Sequence, residues 1–349
     1  MKIGFDARWY FNGPVSGKLV VRNLLDKMIT NSLHTIVPIF NIKDKNNVYK
    51  KFGNINCIFT KIRNPLLSNV FEIPFLKKSN ELDIIIFQNF SPFFGSFKKI
   101  NYIHDIIFED RPEFFTKKEK LYFFPMKYLS MKADLVITIS KNEKDRIIRK
   151  GYSKNVAYVY HGIDTSMKNM AKSVKNLPKE YILAVGRINI RKNISTLIRS
   201  ISLIKNKNMK LVIVGEDSWK KENINIDEKL KSRIVFLKNI SNEELGHIYS
   251  NAKVFCFVSL DEGFGLPIVE AMSFGIPVIC SNISVMPEVS GNAGILVDPY
   301  SENQIADKID LLLSDKLFYE QQQKLSIKKA SEYSWEKSTE KIIKLCEQL

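Results

Sequence analysis

Short runs of consecutive apolar residues recur along the chain, and between them apolar positions return every three or four residues. The runs at residues 36–40, 83–88, 134–139, 181–185, 210–214 and 254–259 are rich in Ile, Val and Phe. Unbroken runs of this length suit parallel strands buried on both faces. The intervening stretches at 18–29, 141–150, 241–251 and 301–313 read as helices, and so does the tail at 334–349. Ser241 stands where a helix cap belongs, with Glu244 three positions later as in a capping box. Strand–helix alternation in both halves predicts an α/β protein of two Rossmann-like, doubly wound domains facing across a cleft. Residues 166–179 are polar, lack periodicity and include Pro178, so they read as a linker. The predicted organisation is a first domain at 1–165, a second at 180–330 and a C-terminal helix at 331–349.

The stretch with most chemical content is DEGFGLPIVEAM at 261–272. It follows a buried-looking strand, and Pro267 is well placed to open a helix. Gly263 and Gly265 let backbone approach a ligand, and the helix start offers free N–H groups and the positive end of its dipole. Glu262 and Glu270 flank the loop. A carboxylate repels phosphate, so these two suit hydroxyls, and a ligand with both groups is a nucleotide or a sugar phosphate. An ordinary loop with a solvated Glu262 and a helix-dipole Glu270 is the alternative. A second strand-to-loop junction, GRINIRKN at 186–193, carries Arg187, Arg191 and Lys192. Arginine grips phosphate in a fork and lysine supplies a compact charge, though a merely basic loop would look the same. In the first half, an apolar strand ends at His104–Asp105, where a histidine faces either a ligand or a neighbouring backbone group.

Charge and composition narrow the class. With 45 % hydrophobic and 26 % charged residues the chain reads as globular. Asp6 and Arg8 interrupt what would be a signal peptide's apolar core, and no apolar run reaches eighteen residues, so a cytoplasmic location is expected. The four cysteines lie far apart and read as reduced core residues. Of the net charge of +16, residues 1–165 hold most, with 27 Lys+Arg against 15 Asp+Glu. No nucleic-acid module accompanies this skew, which points instead to an anionic membrane surface and a peripheral association. The lysine–aromatic stretch at 116–132 is either the contact or a helix packed on the sheet with a solvated lysine face.

The segment E-G-F-G-L-P-x-x-E-A-M strongly resembles the donor-site motif of retaining glycosyltransferase family 4, whose members have the GT-B fold. G-R-x-x-x-x-K at 186–192 resembles the segment whose Arg and Lys hold the donor diphosphate, with Asn193 in place of a common glycine. The H-D pair at 104–105 resembles the motif whose histidine contacts the donor sugar, and HGID at 161–164 the point where relatives leave the first domain. In relatives a glycine-rich G-G-x-G-R-type loop follows the first strand; here it reads S-G-K at 16–18, and Gly17 alone is carried over as a donor-side residue. The resemblance implies a nucleotide-sugar donor on the second domain and a glycan acceptor, lipid-linked or soluble, on the first. Implied catalytic residues are His104, Arg187, Lys192 and Glu262. Arg191, Gly263, Phe264, Gly265, Leu266 and Glu270 would complete the donor site, with Glu270 on the ribose. No metal and no cofactor are implied. The opening F-D-A-R-W resembles bacterial mannosyl- and rhamnosyltransferases, which implies hexose transfer in O-antigen or capsule assembly. A sugar-nucleotide epimerase of similar fold and a non-catalytic nucleotide-binding relative are the other classes.

Overall fold

The computed structural model describes all residues except 32, 169–171, 217–223 and 225; residues 169–171 of the predicted linker therefore lie outside the described residues. Two compact units are present. The first comprises Met1–Glu109, Lys117–Gly162 and Ser334–Leu349, and the second Asp110–Thr116 and Ile163–Tyr333.

In the first unit, strands β1 (Lys2–Asp6), β2 (Thr35–Asn41), β3 (Ile58–Thr60), β4 (Ile84–Gln88), β5 (Lys98–Tyr102), β6 (Leu135–Thr138) and β7 (Val156–Tyr158) form a parallel sheet in the order β3-β2-β1-β4-β5-β6-β7. In the second, β8 (Tyr181–Val185), β9 (Lys210–Val214), β10 (Ile234–Leu237), β11 (Val254–Phe257), β12 (Val278–Ser281) and β13 (Gly294–Val297) form another in the order β10-β9-β8-β11-β12-β13. Every paired strand runs parallel to its neighbour. The winding reverses beside the first strand of each unit, between β1 and β4 and between β8 and β11. Ligands of doubly wound sheets bind at the carboxyl ends of the strands beside such a reversal.

The central strands are apolar on both faces because helices cover both. Ile182, Leu211, Val254 and Ile279 are fully buried in the second unit, with Leu197 and Ile201 of helix Ile194–Leu203 packed in the same core. The C-terminal helix, Trp335–Glu347, belongs to the first unit. Ser334 caps it, Ser338 Oγ donates to the Tyr160 carbonyl at 2.6 Å, and Lys27 pairs with Glu336 at 2.5 Å. This is the crossing-back helix of the GT-B fold.

Three stretches differ from expectation. Residues 41–53, where the apolar pattern predicts no element, contain the helix Lys45–Phe52, which buries only Val48 and is so rich in Lys and Asn that few apolar positions mark it. Helix Lys316–Ala330 is equally inconspicuous, being polar along most of its length. The first long helix spans Val15–Asn31, so Gly17 lies inside it rather than in the preceding loop.

Candidate active site

At the reversal in the second unit, β8 delivers Gly186–Asn193 and β11 delivers the loop up to Gly265. Backbone joins the two loops: the Leu260 N–H donates to the Arg191 carbonyl at 2.8 Å. Asn193 then fixes the base of the junction. It adopts a left-handed conformation, φ +55°, which asparagine tolerates better than other residues with side chains. Its Nδ2 donates to the carbonyls of Val258 at 3.2 Å and Pro299 at 2.7 Å, while its Oδ1 accepts from Thr196 Oγ1 at 2.7 Å. The asparagine thus holds a left-handed backbone and adds three bonds.

Lys192 folds back over its own strand. Gly186 has φ +146°, and a Cβ there would stand 2.8 Å from Lys192 Cε, so only glycine leaves the lysine stem its path. The ammonium lies 4.2 Å from the centre of the Phe257 ring, a cation–π contact, and 2.7 Å from Glu262 Oε1. Arg191 Nη1 reaches Glu262 Oε2 at 2.5 Å and donates to the Asp261 carbonyl at 2.8 Å. One carboxylate therefore clamps two cations. Its backbone is fixed as well, since the Glu262 N–H donates to Ser284 Oγ at 3.2 Å and that hydroxyl donates to Asp261 Oδ1.

The electrostatics follow from burial and pairing. Burial alone would push the Glu262 carboxyl up, but Arg191 and Lys192 outweigh it and hold it at about 2. Burial pushes Lys192 below the usual lysine range, Glu262 partly restores it, and Arg191 and Arg187 depress it further. Arg187 itself is exposed.

Helix Leu266–Ser273 starts at Gly265, φ +93°, with Pro267 in its first turn. Gly263 is buried, and Phe264 packs edge-on against Tyr333 with ring centres 5.7 Å apart. Phe264 thus anchors the loop through its side chain. Glu270, further along the helix, accepts from Tyr249 OH at 2.9 Å; burial pushes its carboxyl up, and the Tyr249 bond partly offsets that.

In the first unit His104 lies two residues beyond the end of β5. Its Nε2 is 2.9 Å from Gln88 Oε1, its backbone N–H donates to Asn89 Oδ1 at 3.2 Å, and its ring is 5.3 Å from that of Trp9. Burial holds it down at about 4, so it is neutral near pH 7, with Nε2–H donating to Gln88. Trp9 was not singled out from sequence. It stands three residues past β1, and a Cβ at Gly17 would come within 2.8 Å of its Cε3, so Gly17 serves as the floor of the indole. Trp9 also lines a pocket of about 350 Å³ at the carboxyl ends of β1 to β4.

The Glycosyl transferases group 1 family profile matches residues 166–346, and the Glycosyltransferase Family 4 profile matches 32–167. The chain belongs to the glycosyl transferases group 1 family. This glycosyltransferase is 29 % identical over 263 residues to O-antigen chain mannosyltransferase B of Escherichia coli, covering 70 % of this chain and 69 % of that one. It is 32 % identical over 208 residues to O-antigen chain mannosyltransferase RfbU of Salmonella typhimurium, covering 57 % of this chain and little more than half, 56 %, of that protein. Among solved structures, an Anabaena protein in complex with UDP and glucose superposes with a TM-score of 0.75 at 17 % identity, over 100 % of both chains. At that identity the likeness speaks to fold.

Within this group 1 chain, the structure brings Arg191, Lys192, Glu262 and the 263–266 loop together in the second unit. Arg187 and Glu270 flank them from the adjoining loop and helix. His104 and Gly17 belong to the first unit, both beside Trp9.

Proposed function

We propose that the protein is a retaining hexosyltransferase that moves a sugar, of the mannose type, from a nucleotide-sugar to an acceptor hydroxyl in bacterial surface-polysaccharide assembly. The observation that carries this is the paired-cation junction at the β8/β11 reversal. Departure of a nucleoside diphosphate loads negative charge onto oxygen, and preorganised cations stabilise that charge as it develops. Lys192 and Arg187 take the diphosphate in this reading, with Arg191 assisting and the N–H groups around Gly263, Gly265 and Leu266 completing the cradle. Glu262 accepts from sugar hydroxyls and Glu270 from the ribose. His104, neutral and fixed by Gln88, offers its other nitrogen as an acceptor to the transferred sugar. The names of the two O-antigen mannosyltransferases support the choice of sugar and process.

The first unit takes the acceptor in this proposal, and a lipid-linked acceptor is the reading its surface supports. Phe71, Phe75, Phe94, Leu121, Phe124 and Tyr128 are all exposed. They come from adjoining segments: the Phe75 and Phe94 rings are 5.5 Å apart, Asn69 donates to the Phe90 carbonyl at 2.6 Å, and Ser91 to the Leu129 carbonyl at 3.2 Å. Exposed lysines 77, 78, 98, 117, 118 and 120 belong to the same segments or flank them. Aromatics framed by lysines suit an anionic bilayer, on which the enzyme would act peripherally. No helix among the described residues is long and apolar enough to cross a membrane.

A panel of GDP-, UDP- and dTDP-sugars tests the reaction, with donor turnover and product anomer followed by NMR. One donor should be consumed with its anomeric configuration kept in the product. Conversion of a donor to an isomeric nucleotide-sugar without acceptor would make the protein an epimerase, and inertness toward every donor would make it a binding protein.

A further inference from the structure

The pocket beside Trp9 has a charge pattern that the reaction outlined above does not use. It is formed by the loops that follow β1, β2, β3 and β4, together with Tyr122 and Phe123. Its volume of about 350 Å³ is within the range of small-molecule sites. Three cationic side chains line it and no carboxylate does. Arg8 is spoken for: buried, it is held by Asp6 through Nε at 2.8 Å and Nη2 at 2.5 Å, and it bonds Asn69. Lys43 and Arg63 are different. Both are exposed, and neither has an ion-pair partner among the described residues. Asp44, next to Lys43 in the chain, feels its charge but forms no ion pair with it; it lies outside the lining and accepts from Asn12 Nδ2 at 2.6 Å. The Trp9 indole lines the same pocket as these cations and packs against His104, with ring centres 5.3 Å apart.

We infer that this pocket selects an acceptor sugar bearing a phosphate, with Lys43 and Arg63 as the phosphate ligands and Trp9 as the platform for the ring. This rests on the reading of the first unit as the acceptor unit, and adds the acceptor's charge class. An arginine fork and a compact ammonium from separate loops match a tetrahedral dianion, which presents oxygens to both. Asn12 and Asn89 supply amide groups for hydroxyls. A sugar lying on Trp9 would sit in the pocket that Lys43 and Arg63 line, on the indole that packs against His104.

Trp9 also supplies the assay. Tryptophan fluorescence of the full chain, with the nucleotide site saturated by GDP or UDP, is titrated with mannose 1-phosphate, mannose, glucuronate and inorganic phosphate. Mannose 1-phosphate should bind at least about tenfold more tightly than each of the other three, the effect of charge-assisted bonds to one anion added to those of the ring. The Lys43→Gln/Arg63→Gln double variant should bring mannose 1-phosphate down to the affinity of mannose. Both positions are exposed, so its thermal midpoint should stay at that of the parent. Trp9→Phe should abolish the signal, showing that it reports this pocket. An isoprenyl phosphodiester of mannose that binds more tightly still assigns the phosphate to a lipid carrier, and equal affinity assigns it to a soluble phosphosugar; either supports the inference. Equal binding of mannose and its phosphate overturns it, as does an unchanged preference in the double variant. So does glucuronate or inorganic phosphate matching mannose 1-phosphate. Donor hydrolysis is measured in parallel: its absence alongside an intact phosphate preference would refute the transferase reading and leave the pocket standing.

Discussion

Glu262→Gln separates two jobs that the clamp performs at once. Arg191 Nη1 and Lys192 Nζ lie 2.5 and 2.7 Å from its two oxygens, so any phosphate bound by the same cations must share them with this carboxylate. With N–O contacts of about 2.8 Å on either side of a cation, the two anions would stand ~5–6 Å apart. One pair of unit charges at that separation is worth about 3 kcal/mol at an effective dielectric of about 20. The Arg191 side chain retains 22 % exposure, and salt screens such partly open pairs, so a net ~1–2 kcal/mol is the expected gain. The variant should therefore bind free nucleoside diphosphate about five- to thirtyfold more tightly in calorimetry. It should also fold less stably, by ~1–3 kcal/mol, because a largely buried lysine loses its charged partner. Added nucleotide should restore the thermal midpoint, and sugar transfer should fall through loss of the hydroxyl acceptor. Unchanged nucleotide affinity together with an unchanged midpoint would refute the idea that Glu262 and phosphate compete for the same cations.

Lys192→Ala should cost about 2–4 kcal/mol in kcat/KM for transfer, the scale of one lost electrostatic donor, and wild-type kinetics would remove it from the site. Because its ammonium packs on Phe257 and pairs with Glu262, the same variant should also melt earlier, which differential scanning calorimetry will show. Glu270→Gln should weaken the nucleotide-sugar and the free nucleoside diphosphate alike, and equal affinities by calorimetry would leave Glu270 a partner of Tyr249 alone. His104 and His161 are both depressed, chiefly by burial, so their contribution to stability is complete above about pH 6.5 and declines as pH falls toward about 4, where His104 gains its proton. Thermal midpoints measured across that window should decline less steeply in His104→Asn, and parallel slopes would contradict the assignment. Sedimentation with anionic vesicles should capture the protein, and the Phe71→Ser/Phe75→Ser/Phe94→Ser variant should lose the part of the binding that survives high salt. No more binding to anionic than to neutral vesicles would remove the membrane reading.

What could be read from sequence depended on whether a feature was local. The strands Tyr181–Val185 and Lys210–Val214 were plain because burial on both faces makes nearly every position apolar, Lys210 at the strand's start excepted. The Ser241 cap was equally plain, since Ser241 and Glu244 complete each other within one turn. Helix Lys45–Phe52 was not, because a helix that buries one residue among lysines and asparagines has too few apolar positions to stand out. The chemistry divides in the same way. Lys192 and Glu262 stand out in their own motifs, but their ion pair joins positions seventy apart and exists only because β8 and β11 are neighbours. Asn193 is intermediate: its departure from glycine was visible, and its three side-chain bonds were not. Trp9 went unnoticed because an aromatic after a first strand is unremarkable until Gly17 and His104 are seen against it.

The short helix Lys117–Phe123 links the two surfaces attributed to the first unit. Tyr122 and Phe123 line the pocket, whereas Leu121, between the same turns, is 75 % exposed, and Phe124 follows it at 63 %. Tyr122 and Phe123 also pack on Phe90 and Phe108, with ring centres 5.2 and 5.1 Å apart, which leaves Leu121 and Phe124 apolar without a covering layer. That arrangement is costly in water unless something apolar meets it. If a bilayer does, Leu121 and Phe124 enter at the level of the headgroups, and the pocket wall on the opposite side of the same turns faces phosphate-rich solvent beside the membrane. The lysines of this helix, Lys117, Lys118 and Lys120, would draw in the same anionic groups that Lys43 and Arg63 are proposed to select. Attraction to the surface and choice of acceptor would then depend on one short element, and a substitution at Leu121 would be felt first in membrane capture while one at Tyr122 would be felt first in acceptor KM.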